Sequence, residues 1–279
     1  MKQVFTIGNK RSGTSLLVRL LNLHPALFIT HESDIIWILF QSRRRIPRTY
    51  RPYPWDGPLG MRATLQACLP VLRRYLGRFR TWPLKDRQQA LVETYYAVQY
   101  HLLQHGTPFQ PAYDKPELVW IGDKKPVQQG DPEIHAFLND LFPEARYVHI
   151  VRHPQAVTAS MQKAASKWPV VPPYWTQDES QILERWAIQE EWALRIKARP
   201  EISVYTLRHE DLSRDPVAQM KHLLAFLDLD LPGELADQIR QMVQPNQNRK
   251  HQGHTIAYPE PVARLMDTYG YKPDGGIRD

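Results

Sequence analysis

The sequence predicts an α/β protein: a P-loop-type parallel sheet flanked by helices, with helical and loop insertions on one side. Three observations lead there. Short β-branched or apolar runs alternate with amphipathic helical stretches, the rhythm of a parallel sheet with crossover helices. The first run is followed at once by a loop with the glycine spacing of a P-loop, and then by a helix. Three of the runs end in polar and cationic residues, and open α/β sheets bind ligands beyond the carboxyl ends of their strands.

Taken in order, Val4-Phe5-Thr6-Ile7 reads as a buried strand. Gly8 to Ser15 forms the loop, and Leu16, Leu17, Leu20 and Leu21 recur at helical spacing until His24-Pro25 ends the helix. Ala26 to Thr30 reads as a second strand that ends in His31-Glu32-Ser33. Residues 41–66, rich in Pro, Arg, Gly and aromatics, read as loop, and 67–106 as helix carrying Leu69, Leu72, Leu76, Leu91 and Tyr95-Tyr96. Further strands are expected at Leu118–Ile121, Tyr147–Val151 and Ile202–Leu207. Asp131 and Pro132 start a helix whose apolar face is Ile134, Phe137, Leu138 and Leu141. Asp215-Pro216 starts a similar one, with Val217, Met220, Leu223, Leu224 and Leu227 inward. The proline-rich stretch Trp168–Trp175 reads as a stiff, lid-like loop. The expected organisation is one domain over 1–279, with 41–115 a largely helical and loop insertion and 272–279 a frayed tail.

Composition narrows the class. A hydrophobic content of 42% is ample for a core and excludes global disorder. The single cysteine, Cys68, excludes an internal disulfide and any multi-cysteine metal site. No charge-then-apolar leader is seen, and the apolar run Ile35–Phe40 is too short to span a bilayer, so a cytoplasmic protein is expected. The net charge of +7 suits a ligand with several negative charges. Its densest cluster is Arg43-Arg44-Arg45 with Arg48 and Arg51, either a solvated face or a rim that attracts an acidic substrate. No RNA-binding aromatic signature or zinc spacing accompanies it, so nucleic acid is not an expected partner.

The chemistry is concentrated at three strand ends. The first gives the loop Lys10-Arg11-Ser12-Gly13-Thr14-Ser15. Such a loop aims backbone N–H groups at one place, and the helix dipole adds positive charge there. Thr14 stands where NTP-hydrolysing loops carry their phosphate-reaching lysine, so an anion other than an NTP is expected. The second end, Gly122-Asp123-Lys124-Lys125-Pro126, brings two lysines, of which Lys125 is read as a solvent-facing neighbour because strand residues alternate. The third ends on Arg152, with Ser160 on the next helix, a pair able to clamp a second phosphate. Two anion sites suggest a nucleotide phosphorylated at both ends of its ribose.

The segments Arg11–Leu17, Gly122–Pro126 and Phe142–Pro154, in that order and spacing, resemble the sulfotransferases that use 3′-phosphoadenosine 5′-phosphosulfate (PAPS). The bacterial and tyrosylprotein-sulfotransferase-like branch is the most similar. Arg208-His209-Glu210-Asp211-Leu212 with Asp215-Pro216 is similar to that family's late strand-to-helix segment, with His209 in place of its usual tyrosine. The resemblance implies transfer of the sulfuryl group of PAPS to a hydroxyl acceptor, releasing the 3′,5′-bisphosphate PAP, with no metal. It places the 5′-phosphosulfate on Lys10 to Ser15 and the 3′-phosphate on Arg152 and Ser160. Arg249 and Lys250 match a late basic pair that closes over the same phosphate, although His-Gln-Gly follows them rather than Gly. Arg11 and Lys124 would stabilise charge on the transferring group. Glu32 would be the general base, with His31 its rival; as strand neighbours, only one of the two should face the site. The insertions would then form the acceptor side.

Two other readings compete. A P-loop kinase of a nucleotide or small molecule draws support from Gly122-Asp123 as a metal-binding strand end. A non-catalytic binding protein on the same fold is the other. The residues do not choose among a phenol, a sugar, a lipid or an acidic peptide as acceptor, nor fix an oligomeric state.

Overall fold

The central strand of the sheet is the chain's first apolar run. A computed structural model describes residues 1–44, 68–72, 74, 86–107, 110–167, 176–243 and 257–274. In it β1 (Lys2–Gly8) lies between β3 (Trp120–Lys124) and β4 (Arg146–Val151), with β2 (Leu27–His31) and β5 (Ser203–Arg208) at the edges. Every pairing is parallel, so all five carboxyl ends meet on one rim. Gly122 faces Val4 across the β1–β3 ladder, where a Cβ would stand 1.9 Å from the Val4 carbonyl oxygen. Only glycine allows that approach.

Helices fill both faces. The first group is α1 (Thr14–Leu21), α2 (Ile35–Arg44), α3 (Arg87–His105), α4 (Pro126–Gly130) and α5 (Pro132–Leu141). It is followed by α6 (Pro154–Ala165), α7 (Glu179–Lys197), α8 (His209–Arg214), α9 (Pro216–Phe226), α10 (Leu235–Met242) and α11 (Glu260–Thr268). Strand alternation sorts the core. Phe5, Ile7, Phe28, Ile121 and Tyr147 face α2, α3 and α5. Val4, Leu27, Ile29, Val148 and Ile150 face α1, α9 and α10. A third cluster joins Val151 and Val157 to Trp186, Leu265, Tyr269 and Tyr271, under α6, α7 and α11. Phe5 is wholly buried, worth about 2–3 kcal/mol by its apolar area.

The helix signals hold where a cap carries them. Asp131 Oδ1 accepts from the amides of Glu133 at 2.8 Å and Ile134 at 3.1 Å, and Asp215 Oδ1 from Ala218 at 3.1 Å. Other boundaries move. Helix α1 ends at Leu21, because Asn22 turns its side chain to the Ile29 amide and carbonyl at 2.8 and 2.9 Å. Strand β3 runs on to Lys124 instead of stopping at Ile121, since Gly122, Asp123 and Lys124 complete ladders with β1 and β2. Helix α3 is no appendage: Leu91, Tyr95, Val98 and Leu102 are buried in the core with Phe5 and Phe28. Residues 45–67 with Arg45, Arg48 and Arg51, the stretch Trp168–Trp175, the pair Arg249 and Lys250, and the tail 275–279 lie outside the described residues.

Candidate active site

Four strand ends assemble the rim. After β1 the loop is held from below, where Asn9 Nδ2 donates to Glu190 Oε1 at 2.7 Å and to the Trp186 carbonyl at 3.3 Å. Two loop residues take positive φ, Arg11 at 68° and Gly13 at 96°. Gly13 is required twice over, since a Cβ there would also stand 2.4 Å from Cδ2 of His209. His209, in place of the usual tyrosine, therefore packs directly on the loop. The amides at the start of α1 have no intrahelical acceptor, and the hydroxyl of Ser12 is buried without a hydrogen-bond partner. This is a cradle with donors in hand.

Lys124 stands at the centre of the next group. Its Nζ lies 2.7 Å from Glu32 Oε1, 3.2 Å from Ser15 Oγ and 3.5 Å from His31 Nε2. His31 Nε2 is itself 3.0 Å from Ser15 Oγ. Sequence alternation allowed only one of His31 and Glu32 to face the site, and the structure corrects this. The Glu32 amide still donates to the Lys124 carbonyl at 3.0 Å, but its φ of 56° turns the side chain back. Both residues thus reach Lys124. Burial alone would raise the Glu32 carboxyl; the charge and hydrogen bond of Lys124, with His31 and Lys125, outweigh it and hold it at about 2. Burial and the Lys124 charge lower the His31 imidazole to about 4, leaving it neutral at neutral pH.

Asp123 explains why the turn after β2 is so sharply set. The carboxylate is fully buried and accepts from Thr30 Oγ1 at 2.6 Å, Ser33 Oγ at 2.5 Å, the Ser33 amide at 3.4 Å and Gln129 Nε2 at 2.8 Å. Its oxygens are taken by protein donors, which removes the support that Gly122-Asp123 gave to a kinase. Lys125 is likewise corrected: it is buried and paired with Asp34, because the chain turns from β3 into α4 instead of continuing the strand. Burial pushes its ammonium pKa down.

Arg152, Arg11 and Ser160 meet beside the loop. Arg152 Nη1 donates to the Arg11 carbonyl at 3.2 Å, and Arg11 Nε to Ser160 Oγ at 3.1 Å. The structure thus brings Ser160 to Arg11 directly, and turns the Arg11 side chain towards the α6 residue expected to pair with Arg152. Burial lowers the Arg152 pKa, an effect that Glu210 partly opposes. Lys10 lines a small cavity with Val157, Met161, Ile182 and Arg185. Asp34 and Glu190 were not legible as site residues; Asp123 and Glu210 lay in segments already singled out, Asp123 only as a kinase's metal-binding strand end and Glu210 only as the neighbour of His209.

The family model described as Sulfotransferase family matches residues 3–233, and the chain belongs to that family. It is a transferase of sulfuryl groups. In fold it is similar to the sulfotransferase domain of the Synechococcus PCC 7002 olefin synthase, with a TM-score of 0.61 at 18% identity, over 98% of this chain and 95% of that one. The sulfotransferase domain from the curacin biosynthetic pathway gives 0.59 at 17%, over 97% and 98%. A sulfotransferase from Mycobacterium avium gives 0.53 at 17%, over 99% and 78%. No curated protein matches the sequence. Among the described residues, no helix is long and apolar enough to cross a membrane, and no three His, Cys, Asp or Glu side chains gather as a metal site.

Proposed function

We propose that the enzyme moves the sulfuryl group of PAPS to a hydroxyl acceptor and releases PAP. The observation that carries this reading is a pair of clusters of cations and hydrogen-bond donors on one rim, each suited to an anion. The first is the Lys10–Ser15 loop with Lys124; the second is Arg152, Arg11 and Ser160, bonded to that loop. A donor with phosphates at both ends of its ribose matches two such sites, whereas ATP matches one. The buried Ser12 hydroxyl and the amides of Gly13, Thr14 and Ser15 suit the 5′-phosphosulfate.

In the step itself, the acceptor oxygen attacks sulfur as the bond from sulfur to the 5′-phosphate oxygen breaks. The electron pair leaves with PAP, and the acceptor proton passes to Glu32. In-line placement and fixed cations carry such a transfer. Lys124 stabilises charge on the transferring group, while the Arg11 side chain, bonded to Ser160, stands with Arg152 on the 3′ side instead of at the leaving phosphate. Glu32 becomes an effective base once Lys124 turns to the incoming anion, because the charge and hydrogen bond that hold its carboxyl down are then withdrawn. His31, neutral and bonded to Ser15, positions the hydroxyl at the head of α1.

The test is incubation with sulfur-labelled PAPS and a panel of phenols, sugars, hydroxylated lipids and tyrosine peptides. Label on an acceptor with equimolar PAP is the expected result. Label left on the donor with every acceptor, together with phosphate transfer from ATP, would overturn the reading.

A further inference from the structure

The C-terminal segment grips the strand ends that carry the second anion site. The peptide joining Arg152 to His153 is held at both of its polar atoms. Its carbonyl accepts from Trp186 Nε1 at 3.0 Å, and its N–H donates to Glu210 Oε1 at 3.1 Å. The other oxygen of Glu210 accepts from the Tyr271 hydroxyl at 2.8 Å, and both side chains are buried. The neighbouring residue repeats the contact, since the Lys272 carbonyl lies 2.9 Å from His153 Nε2. Arg208 Nη1 adds a bond to the Tyr269 carbonyl at 3.2 Å. The Tyr271 and His153 rings meet edge to face at 5.1 Å. Tyr269, Tyr271 and Lys272 all lie beyond residue 233, where the family match ends.

Fixing both ends of one peptide fixes the Cα–Cβ direction of the residue that precedes it. A buried carboxylate can hold an amide in place only if its own second oxygen is satisfied, since an unsatisfied oxygen in a dry site draws the group elsewhere. Tyr271 supplies that bond. We propose that Tyr271 is a positioning residue for the 3′-phosphate site: through Glu210 it sets the Arg152–His153 peptide, and so the Arg152 guanidinium, for an anion on the ribose 3′ side. This rests on the donor reading above. Tyr271 is wholly buried and acts through Glu210.

The test compares PAP with adenosine 5′-phosphate, which lacks the 3′-phosphate, by calorimetric titration of wild type and Tyr271→Phe. The variant keeps the ring and removes the bond. Its PAP affinity should fall about 5-fold or more, as for loss of one buried hydrogen bond, while affinity for adenosine 5′-phosphate stays within about 2-fold. With an acceptor in hand, KM for PAPS should rise and kcat hold. Glu210→Met removes both oxygens at similar length and is read in the same way, which decides the matter if Tyr271→Phe does not fold. Equal loss of both ligands, or a retained preference for PAP, would overturn the proposal alone. If wild type shows no preference for PAP over adenosine 5′-phosphate, the donor reading falls and the proposal falls with it.

Discussion

The ammonium of Lys124 lies 2.7 Å from the carboxylate of Glu32 and is almost wholly enclosed, with 3% of its side chain exposed. One cation therefore joins the loop hydroxyl of Ser15 to the candidate base. Replacing Glu32 by Gln removes proton acceptance but leaves Lys124 an oxygen to bond. Sulfuryl transfer should fall at least about 100-fold, the usual contribution of a general base, with PAP affinity within about 3-fold of wild type. Lys124→Met should depress both transfer and donor affinity. Steady-state rates and calorimetry on the two variants separate these effects.

Acid should weaken the fold in a defined window. His31 sits at about 4, His209 at about 3 and His135 at about 4, each lowered first by burial from an ordinary 6.5. With folded pKa values depressed, the unfolded chain takes up protons first, so their stability is whole above pH 6.5 and lost as pH falls towards 4 and 3. Glu32, held at about 2 against an ordinary 4.5, extends the loss below pH 4.5. The Tm should decline from pH 6.5 downward, and His31→Gln with His209→Gln should make that decline shallower. An unchanged slope in the double variant would contradict the assignment.

Gly13 carries two constraints that can be pulled apart. Gly13→Ala meets both the φ of 96° and the His209 ring, and should cost about 1–3 kcal/mol and abolish tight PAP binding. Adding His209→Ala removes the overlap but not the strained φ. Partial recovery of Tm in the double variant, measured by calorimetric scanning, is the expected outcome.

Asp123 is expected to matter for stability and rate together. Asp123→Ala leaves the Ser33 and Gln129 donors without their acceptor, while Thr30 keeps the Gly122 carbonyl, at about 2–3 kcal/mol in all. Because Ser33 follows Glu32, the turn that presents the base loosens as well. Urea denaturation gives the first effect. A fall in kcat with PAP affinity little changed gives the second.

Legibility in the sequence followed the range of the cause. Loop and α1 were readable because glycine spacing and a leucine stripe are local signals, and Asp131 and Asp215 were readable because a cap reaches only three residues along the chain. The second half of β3 was not. Gly122-Asp123-Lys124 carries no apolar run, and it is strand only because β1 and β2 flank it. The positive φ of Glu32 is equally invisible, since Ser33 and Asp123, about ninety residues apart, impose it. Lys125 was misplaced for the same reason. Strand alternation stops being a guide where the strand stops. The strand ends and the resemblance suggested roles for Arg11, Lys124 and Arg152, but the bonds that Glu190, Glu210 and Tyr271 make under the loop and the Arg152–His153 peptide join residues 181, 57 and 61 positions apart.

The central claim is that this rim takes a nucleotide phosphorylated at both ends of its ribose. Its most direct test is calorimetric titration with PAP beside ATP plus magnesium, on wild type and Arg152→Ala. The account predicts tight PAP binding, weak ATP binding, and a loss of about 10-fold or more in PAP affinity on Arg152→Ala, the size expected of a charged hydrogen-bonding group. Preference for ATP with magnesium, or PAP binding indifferent to Arg152, would contradict it.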